Sequence, residues 1–167
     1  MKGKYFEELE IGKEFLTRSR TITETDVVFY AGFSWDHNPE HTDVEFAKKS
    51  AFEERIPHML LSLVFANGLS ASTSILRGTA RGYLGMTWRT LGICRIGDTL
   101  HVRETILEKT NSPRPEVGLV IFGIEVINQR GEVVNQGERA MLVAHKPELG
   151  QTEQPWEFVF TLEREAK

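Results

Sequence analysis

The chain has 167 residues, 40% hydrophobic and 26% charged, with a formal net charge of -4. That suffices for one domain with a substantial core, and the charge excludes a global basic signature of nucleic-acid binding. Cys94, the single cysteine, excludes an intramolecular disulfide and any four-cysteine zinc site, and no apolar run approaches the roughly 18 to 20 residues that span a bilayer.

The charged start from Met1 to Glu8 has no apolar signal core, so a cytoplasmic location is expected. Residues 13 to 22 read as a strand running into a helix. Thr23 caps that helix, with Asp26 three positions on to favour its positive end, and Gly32 and the Ser34 region close it. The run Thr42-Asp43-Val44-Glu45 matches a capping box and opens a short helix through Phe46, Ala47 and Lys48. From Pro57 to Ser72 almost no polar face remains, which predicts one buried central helix with Pro57 in its first turn. Four segments rich in β-branched and aromatic residues follow, at about 83 to 93, 99 to 109, 118 to 128 and 132 to 144. No helix-length segment separates them, so they pair antiparallel. The expected architecture is α+β, a curved antiparallel sheet wrapped around the buried helix. Residues 1–146 form one domain. Residues 147–167 are an extension in which Trp156, Phe158 and Phe160 alternate with other residues, as in a short edge strand or a packed arm.

The stretch Phe33-Ser34-Trp35-Asp36-His37-Asn38-Pro39-Glu40-His41 carries the chemistry. It sets a carboxylate and an imidazole five residues apart across an Asn-Pro turn, which breaks regular structure and lets both side chains converge. Such a pair suits general acid/base work. On the residues alone Asp36 also suits a purely local role, accepting backbone amides in the turn. His37 reads as a solvent-facing loop residue, and His101 and His145 as structural. His58 reads either as a hydrogen-bonding residue at a helix start or as a pocket residue. Asp36, His37 and His41 lack a zinc spacing, so no metal is expected. Cys94 has no nearby base, and the serines at 70, 72 and 74 lack a nucleophile elbow.

The run Tyr30 to His41 resembles the signature of MaoC-like dehydratases, the (R)-specific enoyl-CoA hydratases, which are hot-dog-fold proteins. Ala47 matches the small residue that follows. The resemblance extends to Arg55-Ile56-Pro57-His58, to Ile96-Gly97-Asp98-Thr99-Leu100 and to Asn128 through Val134. Two positions depart from the family pattern, Trp35 and Met59, each standing where the family has glycine. The resemblance implies reversible addition of water to a trans-2-enoyl-CoA thioester. Asp36 and His41 would be the acid/base pair, with Asn38 as positioner and the Met59 backbone N–H as oxyanion donor. Trp35, Phe33, His58 and Arg55 would contact substrate. Lys48, Lys49, Arg55, Arg77, Arg81 and Arg114 are candidate phosphate contacts on local charge. No cofactor is implied beyond coenzyme A as the substrate's carrier. A homodimer is implied, with no nucleic-acid or membrane partner. Two other readings are a hot-dog acyl-CoA thioesterase and a non-catalytic acyl-thioester-binding subunit.

Overall fold

Thr23 and Asp26 start the first long helix in a computed structural model that describes residues 3–147. The Asp26 amide donates to the Thr23 hydroxyl at 3.4 Å, and the Thr23 amide donates to the Asp26 carboxylate at 2.8 Å. This reciprocal cap satisfies two amides at the start of α1 (Glu24–Ser34). Before it lie a one-turn 3-10 helix, Phe6–Glu8, and two short strands, β1 (Glu14–Leu16) and β2 (Arg20–Thr21), where one strand was expected. Thr17 partly fills the gap. Its amide donates to the Val102 carbonyl at 3.0 Å and its hydroxyl accepts from the Val102 amide at 2.9 Å.

After α1 come α2 (Pro39–Thr42), α3 (Val44–Ala47) and α4 (Leu61–Ser72), then four long strands: β3 (Ala80–Thr90), β4 (Thr99–Asn111), β5 (Val117–Ile127) and β6 (Val133–Ala144). All pairings are antiparallel, in the order β1-β4-β5-β6-β3, with β2 also against β4. Alternation over residues 99–106 of β4 and along most of β5 buries every second residue. Leu100, Val102, Ile124 and Val126 meet Leu61, Phe65 and Leu69 of α4 in one core, and a second gathers Phe6, Leu9, Ile106, Phe122 and Val143. Between them the same face of β4 carries Glu104, paired with Arg139 of β6, their side chains 3% and 11% exposed. At Gly137, on β6, a Cβ would lie 2.1 Å from the Thr87 carbonyl oxygen, so β3 closes on β6 only because that position has no side chain.

Three local expectations are corrected. The cap of α3 is Asp43, not Thr42. The Asp43 carboxylate accepts from the amides of Glu45 and Phe46 at 2.9 and 3.0 Å. Thr42 instead ends α2, and its hydroxyl donates back toward the His37 and Asn38 carbonyls. Helix α4 starts at Leu61, because residues 57–60 form a separate turn in which the Leu61 amide donates to the His58 carbonyl at 2.9 Å. Nor is α4 enclosed on all sides. The sheet covers one face, while Val64 of α4 and Leu60 just before it remain about half exposed. The extension from 148 to 167, with its expected strand or arm, lies outside the described residues.

Candidate active site

Trp35 ends α1 in the left-handed region, φ 63°, which turns the chain sharply just before Asp36. The Asp36 amide then donates to the Ser34 hydroxyl at 3.2 Å, and the Asp36 carboxylate accepts from the Asn38 amide at 3.3 Å, so the turn is held by its own side chains. The Asn38 side-chain oxygen accepts from the Glu40 amide at 3.3 Å and caps α2, with Pro39 at the first helical position. Asn38 thus fixes the turn. One helical turn later His41 is buried, its own amide donating to the Asn38 carbonyl at 2.9 Å.

Backbone carbonyls set the state of both buried imidazoles. A carbonyl oxygen only accepts, so the ring nitrogen facing it must carry the proton. His41 Nδ1 donates to the Ile56 carbonyl at 2.8 Å, and His58 Nε2 donates to the Asp36 carbonyl at 2.9 Å. In neutral His41 the remaining nitrogen, Nε2, is therefore a free lone pair. Burial pushes the His58 imidazole below its usual value, against the hydrogen bond to Asp36, and His41 adds to the lowering. The ring centroids of His41 and His58 lie 3.9 Å apart, and the Tyr30 ring packs against His58 at 4.6 Å.

The fold thus gathers Asp36, His41 and His58, each offering one atom within 4.8 Å of the others. Asp36 is exposed while the imidazoles are buried, so the carboxylate meets solvent where the rings do not. The same three groups could hold a metal ion, although each imidazole already commits one nitrogen to a carbonyl. Asp36, His41 and Asn38 were expected together. The tether from His58 to Asp36 was not, and the Pro57-His58 pair ahead of the apolar run is its only sequence signal.

Other expected residues are dispersed. Phe33 and Trp35 are 78% and 85% exposed beside the turn. Met59 is also exposed, two residues before the first residue of α4. Arg55 binds Glu24 at 2.6 Å and reaches the His41 carbonyl at 3.4 Å, so it braces α1 against α2. Lys48 pairs with Glu45 at 2.8 Å, and Arg81 donates to the carbonyls of Gly78 and Ala80. His37 is exposed in the turn, His101 lies on β4, and His145 pairs with Glu7. Burial pushes the Cys94 thiol up to about 11, which removes thiolate nucleophilicity near neutral pH.

The family model for the MaoC-like domain matches residues 6–127. The chain belongs to the MaoC-like family. It is 30% identical over 139 residues to an (R)-specific enoyl-CoA hydratase of Rhodospirillum rubrum, covering 83% of this chain and 91% of that protein. An R-hydratase from Pseudomonas aeruginosa, solved without ligand, superposes with a TM-score of 0.72 at 30% identity, covering 90% of this chain and 94% of the other. A Mycobacterium tuberculosis protein described as a double hot-dog fold superposes with a TM-score of 0.74 at 19% identity, covering 90% of this chain and 47% of that one. The sheet and helix of this MaoC-like chain are thus a hot-dog fold, and its reaction class is that of the hydro-lyases, the hydratases and dehydratases. Among the described residues no helix is long and apolar enough to cross a membrane.

Proposed function

We propose that this protein adds water reversibly to a trans-2-enoyl-CoA thioester, with Asp36 and His41 as the acid/base pair. The observation that carries the reading is the convergence of the exposed Asp36 carboxylate with a buried imidazole whose Nδ1–H is spent on a backbone carbonyl. Water sits between the two groups. His41 Nε2 or the Asp36 carboxylate takes its proton as the oxygen bonds to the β-carbon, and the thioester carbonyl gains enolate character. The protonated base then returns that proton to the α-carbon, which regenerates the pair, and no electrons leave the system, so the chemistry needs no redox cofactor. Developing charge on the thioester oxygen requires a preorganised donor. The Met59 amide is our choice, because a backbone N–H survives the substitution of the family glycine. Asn38 acts by fixing the turn. Phe33 and Trp35 offer an apolar wall to the acyl-CoA, and a cytoplasmic setting fits such a substrate.

We also propose a homodimer. Strand β3 ends the sheet, so one of its edges has no strand beside it among the described residues. Tyr83, Leu84 and Leu91 are 45%, 46% and 54% exposed on or just beyond that strand. A long unpaired apolar edge is a template for pairing, and a second copy would cover it.

Crotonyl-CoA and longer enoyl-CoAs test the reading. Loss of the conjugated thioester absorbance without release of free thiol supports hydration. Thiol release would instead identify a thioesterase. Acyl-CoA binding with neither signal would identify a non-catalytic subunit, the reading favoured by Trp35 and Met59 in place of glycines.

A further inference from the structure

We propose that one buried water joins Asn135 of β6 to His58, and that Asn135 is thereby a positioning residue for the candidate active site. Its catalytic part rests on the function proposed above; the water bridge itself does not.

Two unpaired buried acceptors carry the inference. His58 Nε2 carries the ring proton, because it faces the Asp36 carbonyl at 2.9 Å. Burial disfavours the charged ring, and in the neutral ring Nδ1 is a bare lone pair. That atom is buried and has no hydrogen-bond partner among the described residues. The Asn135 amide nitrogen donates to the Thr90 hydroxyl at 3.2 Å, which leaves Oδ1 as a second acceptor, also buried and without a partner among the described residues. His58 is 3% exposed and Asn135 1% exposed. Both line one small cavity behind Pro57 and Met59. Ser62 also lines it, but its hydroxyl proton goes to the Met59 carbonyl at 2.9 Å.

Buried polar atoms are almost always satisfied, by protein or by ordered water. The cavity holds about 10 Å³ for a water-sized sphere, which is about the room one water needs. A water brings two hydrogens, and the site presents two acceptors. A hydrogen bond donated to Nδ1 also fixes the ring in the tautomer that holds the Asp36 carbonyl. The relay therefore runs from the sheet, through Asn135, water and His58, to the residue that bears the candidate catalytic carboxylate.

Long-range proton–nitrogen NMR of the protein labelled with 15N-histidine tests this, with His58 assigned through His58→Gln. The expected wild-type signal is an Nε2-protonated ring whose Nδ1 has the shift of a lone pair accepting a hydrogen bond. In Asn135→Leu the Nδ1 signal should move to the bare lone-pair position. Turnover of crotonyl-CoA should fall about tenfold with KM nearly unchanged, as for a modest misplacement of a reacting group. Asn135→Asp, which keeps an acceptor oxygen, should restore both. A bare Nδ1 in the wild type overturns the bridge, and this result needs no variant to fold. An Nδ1 shift unmoved by Asn135→Leu overturns it too. A moved shift with unaltered turnover overturns the positioning role. If the wild type hydrates no enoyl-CoA, the proposed function fails while the imidazole spectra still decide the water.

Discussion

His41 and His58 face one another at 3.9 Å between ring centroids, and each gives a ring N–H to a backbone carbonyl of another segment. His41 at this distance disfavours charge on the His58 ring. The arrangement leaves His41 a free lone pair beside the Asp36 carboxylate. Asp36→Asn and His41→Ala should each lower crotonyl-CoA turnover at least about 100-fold, the ordinary contribution of a general acid or base. Circular dichroism should show both variants folded. Full turnover in either one would remove the acid/base assignment.

Stability should depend on pH through His58. Its folded value is depressed by burial, below an unfolded value of about 6.5. As pH falls, the unfolded chain therefore takes up the proton first. The stability contributed is complete above about pH 6.5 and is lost as pH drops through the folded value. His58→Gln keeps a donor for the Asp36 carbonyl but does not titrate. Thermal midpoints of the two proteins should therefore converge as pH falls below about 6.5. The carboxylate of Asp26 also titrates, burial raising its value and the Thr23 hydrogen bonds together with Arg20 more than offsetting that. Its window lies lower and is common to both proteins, so it cancels in the difference.

The Glu104–Arg139 pair is expected to be needed as a pair. Both side chains are nearly inaccessible, so deleting one strands the other charge in the core. Glu104→Ala should cost about 3–5 kcal/mol in denaturant titration. The double variant Glu104→Leu/Arg139→Met should lose less than either single change, because it removes both charges and keeps the volume. Additive losses would show that the two residues are not coupled.

Trp35 holds a left-handed conformation, φ 63°, that costs a residue with a Cβ about 1–2 kcal/mol. Glycine relieves that cost but adds about 0.5–1 kcal/mol of unfolded-state freedom. Trp35→Gly should accordingly raise stability by up to about 1.5 kcal/mol. If the indole forms an acyl wall, KM for longer enoyl-CoAs should rise at the same time. A destabilised variant would show that the exposed ring has a packing partner in solution.

Much of this was legible before any coordinates. The Asp36, Asn38 and His41 turn was readable because Asn-Pro and short-range capping are local chemistry, decided within a few residues. The four long strands were readable from their β-branched and aromatic residues and the turn signals between them. Glu104 sits at a core position of β4, where a carboxylate signals nothing until Arg139 arrives from β6. The His58–Asp36 tether spans 22 residues and is invisible to any local pattern. Pro57 suggested a helix start that the turn at residues 57–60 moved to Leu61. The apolar run of α4 suggested enclosure on all sides, whereas the sheet of one chain covers only one face.

Gly137 meets the Thr87 carbonyl so closely that a Cβ there would lie at 2.1 Å. The neighbour is backbone in a paired strand, and it cannot swing aside as a side chain would. Genetic drift at that codon is consequently confined to its four synonymous forms. Every lineage that keeps the register of β3 and β6 must keep the same unadorned residue where the two backbones meet.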